Sequence, residues 1–407
     1  MSAVRVPGFK LLLAGQAVNA VGDWVAIIAI WGFAAFRFDA GAGDLALLFV
    51  VLSVPAALLG PWLGIPIDRL GPKRTLVLAN ALGFLAALAL TQAHSYEAVI
   101  LLALPLGLIE PLGTASLDAL PPRMVDDEHL VQANALLGGA QDLAIVIGPA
   151  LAAAVNAGWG LSGAFLLDAV TFLAGACVAL PLKVEHERRA VPDSAWKELR
   201  HGLSLVRRTQ GLRWTLGVAT VTFTLWGLFG VLEPLYVRDV LGRSDTVFAV
   251  LQTVFGIGLV GAGLTLARLG DRMARPPYVA IATIVSGATA ALYLSTESLV
   301  VAFVGVFLWG IDVAFFYVPA KTLLQRYGPT AAHGRILSIN QSLEAAGAVI
   351  ATPVAAIAAG TLGVQLLGVV GGAAAAVAGI VALRLARRLD PPPPADELVT
   401  LNWPRAS

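Results

Sequence analysis

Apolar residues run along this chain in long blocks rather than in alternating stripes. Charged, Pro-rich or Gly-rich breaks divide twelve such blocks, at 9–36, 44–66, 74–93, 98–118, 129–156, 160–182, 213–236, 246–267, 276–294, 298–320, 334–359 and 363–384. A helix of about 20 apolar residues covers the hydrocarbon core of a bilayer, so each block predicts a transmembrane helix. A membrane β-barrel would alternate apolar and polar positions over segments of about ten residues, and no such alternation is present. The first block follows Arg5 and Lys10, as the apolar part of a signal peptide would. It runs on through Asp23 and Trp24 to Phe36, and is read as the first helix.

The breaks are short except for 183–212. There Trp196, Leu199, Leu203 and Val206 recur at helical spacing between Lys197, Arg200, Arg207 and Arg208. The pattern predicts an amphipathic helix on the inner membrane surface, as a linker between two halves or as a regulatory site. Pro391–Pro394 opens a stiff, polar tail. The expected architecture is all-α and integral to the membrane, with twelve transmembrane helices in two pseudo-symmetric six-helix bundles. The bundles are 1–182 and 213–390, joined by the cytoplasmic linker 183–212 and followed by a cytoplasmic tail, 391–407.

Composition narrows the class further. Of the 407 residues, 58% are hydrophobic and 13% charged, with a mean hydropathy of +0.81. Soluble domains carry about 25% charged residues, so there is too little charge here to clothe a soluble protein. A net charge of +1 offers no clustered basic face for nucleic acid. The single cysteine, Cys177, lies in an apolar run and supports neither a disulfide framework nor a thiolate metal site. With the N-terminus inside, every Lys and Arg except Arg37, Arg238 and Arg243 falls on the inner side. That bias sets the topology, and the even span count places both termini in the cytoplasm.

The two halves also share a motif. After the second block the chain reads Gly64-Ile-Pro-Ile-Asp68-Arg69-Leu-Gly71-Pro72-Lys73-Arg74, and after the eighth Gly263-Leu-Thr-Leu-Ala267-Arg268-Leu-Gly270. Both are G-x-x-x-[D/A]-R-L-G, at equivalent inner loops, which suggests an internal duplication. Gly60 and Gly64 form a G-x-x-x-G that allows close helix approach. Asp68 stands at a helix C-terminus, where the macrodipole disfavours an anion. It needs a partner, and Arg69, Lys73 and Arg74 are nearest. The alternative is a loop whose positive charges only anchor topology.

On these residues the chain resembles the major facilitator superfamily, whose loop signature between helices 2 and 3 is G-x-x-x-D-R-x-G-R-[KR]. Pro72 replaces the usual arginine, and Ala267 replaces the acid in the second copy. Gly148-Pro149-Ala-Leu-Ala-Ala in helix 5 is similar to the antiporter motif G-P-x-x-G-G, with alanines at the final glycines. The stretches Gly15-Gln16 to Gly22-Asp23, Ala133-Asn134-Ala135 and Ala164-Phe165-Leu-Leu-Asp168-Ala169 resemble the branch holding macrolide efflux proteins and the enterobactin exporter. The resemblance implies two bundles around a central cavity lined by helices 1, 4, 7 and 10, working by alternating access. It also implies that Asp68 reaches the start of helix 11, near Gly334 and Arg335, so that a breakable charge cluster holds one access state closed.

Bases avoid the predicted spans but acids do not. Asp23, Glu110, Asp142 and Asp312 lie mid-helix, Glu344 in the inner half of helix 11, and Glu233 near the outer end of helix 7. An acid at a helix centre costs about 2.5–3.5 kcal/mol on insertion. A carboxyl group deprived of water holds its proton and releases it when water returns, which is what a proton carrier does. Each acid also has a plainer reading. Asp23 has Asn19 one turn away as a structural partner, and Glu233 and Asp168 are close enough to the outer surface to be hydrated. Glu110 lies between Pro105 and Pro111, in a helix that Gly107 weakens. Gly148-Pro149 predicts a kink six residues beyond Asp142. Trp24, Trp31, Phe223, Trp226, Phe229, Trp309, Phe315, Phe316 and Tyr317 would supply aromatic walls for an amphipathic cation, or else face lipid.

Gly256-Ile-Gly258-Leu-Val-Gly261 matches a dinucleotide fingerprint, but it lies inside one apolar block and reads as helix packing. No P-loop, nucleophile elbow or metal constellation is present. The expectation is therefore a non-enzymatic, monomeric secondary transporter without a cofactor, driven by the proton gradient. Its partners would be a small-molecule substrate, protons and the lipid bilayer, with no nucleic acid. It would sit as a multi-pass protein in the plasma membrane, the inner membrane of a bacterium. Efflux of amphipathic cations by antiport is the leading reading. Export of an anionic metabolite such as a catecholate siderophore, or a non-transporting receptor or scaffold, are the alternatives. An anion carrier should show basic residues in its cavity.

Overall fold

A computed structural model describes residues 5–59, 64–184, 195–328 and 333–389. Every regular element among them is helical. Helix α1 (Pro7–Gly32) begins on a proline, whose missing N–H is no loss in a first turn, and runs into a π-helical turn, Phe33–Arg37. Helix α2 (Ala42–Leu59) and the short α3 (Gly64–Leu70) cover the second predicted span. Helices α4 (Pro72–Leu90) and α5 (Tyr96–Asp118) follow. Helix α6 (Asp127–Ala179) is 53 residues long and breaks at Gly160, whose φ of 69° and ψ of 179° only glycine adopts readily. It thus carries two predicted spans.

Helix α7 (Ala195–Arg208) is the linker helix. Then come α8 (Gln210–Leu235), which ends in a second π-helical turn, Tyr236–Val240, and α9 (Asp245–Leu269). Helices α10 (Pro276–Leu294), α11 (Leu299–Tyr327), α12 (His333–Leu362) and α13 (Val364–Ala386) complete the chain. Ten of these helices are long and apolar enough to cross a membrane. Counting α6 twice and adding the apolar α2 gives the twelve that the hydrophobic pattern predicts. Large aliphatic side chains such as Leu101 and Ile357, 71% and 75% exposed, stand outward where lipid would cover them.

The chain divides into two compact units. One comprises Met1–Val191 and Glu233–Gly256, the other Pro192–Leu232 and Ile257–Ser407. In the first, α1 lies along α6, and α4 lies against both α5 and α6. Small residues make this possible, as expected where helices pack without a hydrophobic driving force. A Cβ on Gly22 would collide with the Thr171 hydroxyl, and one on Gly83 would sit 2.6 Å from the Phe172 ring. The segment Glu233–Gly256 is tied to the same unit by Arg238. Its guanidinium donates to the carbonyls of Ala35 (2.7 Å) and Ala40 (2.9 Å) and meets Asp39 at 3.0 Å.

In the second unit α10 packs against α13 and α11. Trp214 Nε1 of α8 donates to the Ala382 carbonyl at 3.1 Å. Helix α7 does not lie free on a membrane surface. It packs against α12, and Leu205, 3% exposed, enters the core with Leu212, Tyr327 and Ile336. Leu203, which the helical spacing put on the apolar face, is exposed instead.

Gly60 and Pro391–Pro394 lie outside the described residues, as do the side chains of Gly64, Asp142, Trp196, Lys197, Leu199, Arg200, Ala267, Gly270 and Arg335. Gly148 and Pro149 keep helical geometry, and the break in α6 comes at Gly160 instead. Gly148 serves close packing, because a Cβ there would strike Trp24. Gly256 and Gly258 likewise sit within α9, each against the backbone of a neighbouring helix, which is the packing role expected for that glycine run.

Candidate functional site

The first unit holds an open-sided cavity of about 310 Å³ between α1, α4, α5 and α6. Its polar lining comprises Gln16, Asn19 and Asp23 of α1, Asn80 of α4, Glu110 and Thr114 of α5 and Gln141 of α6. Helical spacing explains the α1 set, since positions 16, 19 and 23 recur at three and four residues and so share a face. Asn19 Nδ2 donates to both carboxylate oxygens of Asp23, at 3.2 and 3.0 Å. This is the structural partner that the sequence offered. It leaves Asp23 still lining the cavity, with Trp24 beside it. Glu110 faces the same space. Asp23 lies within electrostatic reach of both Glu110 and Asp168.

Asp168 corrects one expectation. It is 1% exposed rather than hydrated, and its Oδ1 has no hydrogen-bond partner among the described residues. Glu233 is buried as well and accepts from Gln252 Nε2 at 2.9 Å. Hydropathy gave a depth for these two acids but not the face of the helix on which they lie. Asp168 belongs to the Ala164–Ala169 motif, so that motif was the available signal.

The second unit holds a smaller pocket of about 70 Å³, lined by Phe223, Phe316, Tyr317, Lys321, Asn340 and Glu344. Asn340 Nδ2 donates to Glu344 Oε1, and Lys321 is its nearby counter-charge. The sequence placed Lys321 beyond the span 298–320. Helix α11 continues to Tyr327, so this base lines a pocket after all.

Asp312 and Trp309 are not cavity walls. Asp312 is 5% exposed with Ser286 against its carboxylate, and Ser286 in turn accepts from Trp226 Nε1 at 3.0 Å. Trp309 packs edge-on to Phe229 at 5.3 Å, and Trp226 to Phe223 at 5.0 Å and Phe316 at 5.3 Å. Trp226, half-buried, Ser286 and Asp312 form a Trp–Ser–Asp chain beside these aromatic rings.

The loop motif is a tight turn. Gly71 has φ 87°, and Pro72 then opens α4 at its first position, a place that suits proline. Thr75 Oγ1 closes the turn onto the carbonyls of Pro66 (3.2 Å) and Gly71 (2.9 Å). Among the described residues Asp68 makes no ion pair with Arg69, Lys73 or Arg74, so the expected local pairing is not formed. In the second copy, α9 passes into a 3-10 turn, Gly270–Met273, just after the exposed Arg268.

Membrane-spanning helices in two units, each with a polar pocket set among buried apolar side chains, define a polytopic transporter of small molecules. The chain belongs to the Major Facilitator Superfamily, whose model matches residues 12–242 and 215–403. It is 22% identical over 368 residues to macrolide efflux protein A of Streptococcus pyogenes, covering 88% of this chain and 90% of that one. It is 23% identical over 351 residues to the putative bacilysin exporter BacE of Bacillus subtilis, covering 83% and 84%. Among solved structures, the nucleoside transporter NupG superposes with a TM-score of 0.71 at 12% identity, covering 94% of this chain and 100% of that one. A POT family transporter bound to a thioalcohol-conjugated peptide gives 0.74 at 11% identity, covering 94% and 96%. At such identities these two structures speak for the fold alone.

Proposed function

We propose that the protein is a proton-coupled efflux antiporter that exchanges protons for amphipathic, cationic small molecules by alternating access. One observation carries this reading. Asp23 and Glu110 face a single cavity, with Asp168 in electrostatic reach of both. Carboxylates gathered at one cavity repel one another. A proton, or a cation delivered by the substrate, relieves the same repulsion. The two ligands therefore compete for one site, which is the minimal requirement for exchange. Trp24 adds an aromatic face for cation–π contact.

The similarity to two proteins named for export supports the outward direction. The basic residues on the inner side support cytoplasmic termini and residence in a bacterial inner membrane. The protein works as a monomer without a cofactor, on the proton gradient. The test is ethidium transport into inverted membrane vesicles. Wild type should accumulate the dye only with an inward-acid gradient, and Glu110→Gln should lose at least about tenfold in rate, as for one lost proton-transfer group. Export that persists in Glu110→Gln and Asp142→Asn while ignoring the gradient overturns the reading.

One observation favours a second reading, export of an anionic metabolite such as a siderophore. Lys321 lines the pocket of the second unit. Lys321→Ala should leave ethidium transport intact under the first reading, and abolish export under the second.

A further inference from the structure

The cavity of the first unit is unusual in the kind of polarity it presents. Four carboxamides converge on it, Gln16, Asn19, Asn80 and Gln141, together with the carboxylates of Asp23 and Glu110. A site for a bare lipophilic cation needs an acid and apolar walls, and has no use for so many hydrogen-bonding groups. Carboxamides left facing a cavity desolvated by substrate would each lose a partner.

Little of this capacity is used internally. Asn80 Nδ2 donates to the Leu76 carbonyl at 3.1 Å, and Asn19 Nδ2 is spent on Asp23. Asn19 Oδ1 is buried with no hydrogen-bond partner. Among the described residues no hydrogen bond joins the side chains of Gln16, Glu110 or Gln141 to the protein. Each carboxamide offers both donor and acceptor, and so does the hydroxyl group. An ammonium, in contrast, only donates, so it can meet carboxylates and carboxamide oxygens but leaves the N–H groups of Gln16 and Gln141 without an acceptor.

We infer that the cavity takes a hydroxylated amine, a cation of the amino-sugar or amino-alcohol type. Its ammonium meets Asp23 and Glu110, and its hydroxyls are read by Gln16, Asn19, Asn80 and Gln141. Ile27, Leu76 and Ile109 leave part of the wall apolar, so the carbon skeleton lies against them. A cavity of about 310 Å³ stands at the lower bound of small-molecule sites. The inference rests on the proposed function only in taking the site as the substrate site. It narrows the substrate from any amphipathic cation to one bearing hydroxyls.

Equilibrium binding to the full chain in nanodiscs tests it, with three matched probes. N-methyl-D-glucamine carries the amine and the hydroxyls, N-methylhexylamine the same skeleton with the amine alone, and sorbitol the hydroxyls alone. N-methyl-D-glucamine should bind at least about tenfold more tightly than N-methylhexylamine, the worth of one or two net hydrogen bonds. Sorbitol should bind more weakly than N-methyl-D-glucamine. Gln16→Leu and Gln141→Leu should each shrink the preference while leaving the affinity for N-methylhexylamine within about twofold. Glu110→Gln should weaken both amines. Equal or tighter binding of N-methylhexylamine overturns the inference, and so does the absence of binding by all three probes. Unchanged preference in variants whose melting temperature matches wild type overturns the assignment of the carboxamides. Gradient-driven uptake of N-methyl-D-glucamine into inverted membrane vesicles reports separately on efflux. A chain that discriminates the probes but shows no gradient-driven export keeps this site and loses the proposed function.

Discussion

Asn19 holds Asp23 by both carboxylate oxygens, one turn apart on the face of α1 that lines the cavity. The contact fixes the acid on the cavity face and supplies a permanent donor that persists in either protonation state. Asn19→Leu removes that donor. Ethidium transport should fall by about tenfold, roughly one charge-assisted hydrogen bond of 1.5–3 kcal/mol. Asn19→Gln should recover part of it. An unchanged transport rate in Asn19→Leu, at wild-type expression, would show that the contact is only a local brace.

Asp168 should separate folding from transport. Its buried, unpartnered oxygen makes the neutral isostere structurally acceptable. Asp168→Asn is expected to keep or slightly raise the melting temperature of the purified protein while slowing gradient-driven export severalfold. A loss of both together would mark the residue as architectural.

The α1–α6 contact tolerates almost nothing at Gly22. A methyl group there strikes Thr171, and overpacking of this kind costs about 1–3 kcal/mol. Gly22→Ala should lower the melting temperature by several degrees. Adding Thr171→Gly, which clears the whole side chain, should restore most of the loss. A single variant that melts like wild type would show that the two helices part to admit a methyl group at no cost.

Arg238 should matter through its geometry more than its charge. A single nitrogen, Nη1, reaches both backbone carbonyls, whereas the ionic partners, Asp239 at 2.6 Å and Asp39 at 3.0 Å, are 47% and 90% exposed. Exposed ion pairs contribute about 0–1 kcal/mol. Asp39→Asn should thus leave thermal stability nearly unchanged. Arg238→Ala and, to a lesser degree, Arg238→Lys should both reduce it, because an ammonium can reach the carbonyls but cannot also grip both carboxylate oxygens of Asp239, as Nε and Nη2 do. Equal losses in Asp39→Asn and Arg238→Ala would reverse this ranking.

Much of this fold was legible in hydropathy alone, because each span is a length of apolar chain and the loops hold the charge. The Asn19–Asp23 pairing was legible as well, since residues four apart on a helix are neighbours. What escaped was facing. The spans are apolar all round, so sequence could say that Asp168, Glu233 and Trp309 were in helices but not toward what they turned. Lys321 was missed for a different reason. The span was ended where hydropathy dropped, while the hydrogen-bonded helix ran two turns further. Gln16, which stood out only as part of a motif, and Gln141 are uncharged carboxamides and leave no trace in a charge count.

The two π-helical turns, Phe33–Arg37 and Tyr236–Val240, end the first span of each half. A π turn is an α turn with a residue inserted, and it leaves a backbone irregularity that apolar composition does not demand. The same defect at the same point of both halves is most simply a copied one. The halves thus share, beyond the order of their spans, one backbone irregularity at the same end of the first span, which is what repeats of a single six-helix unit would carry.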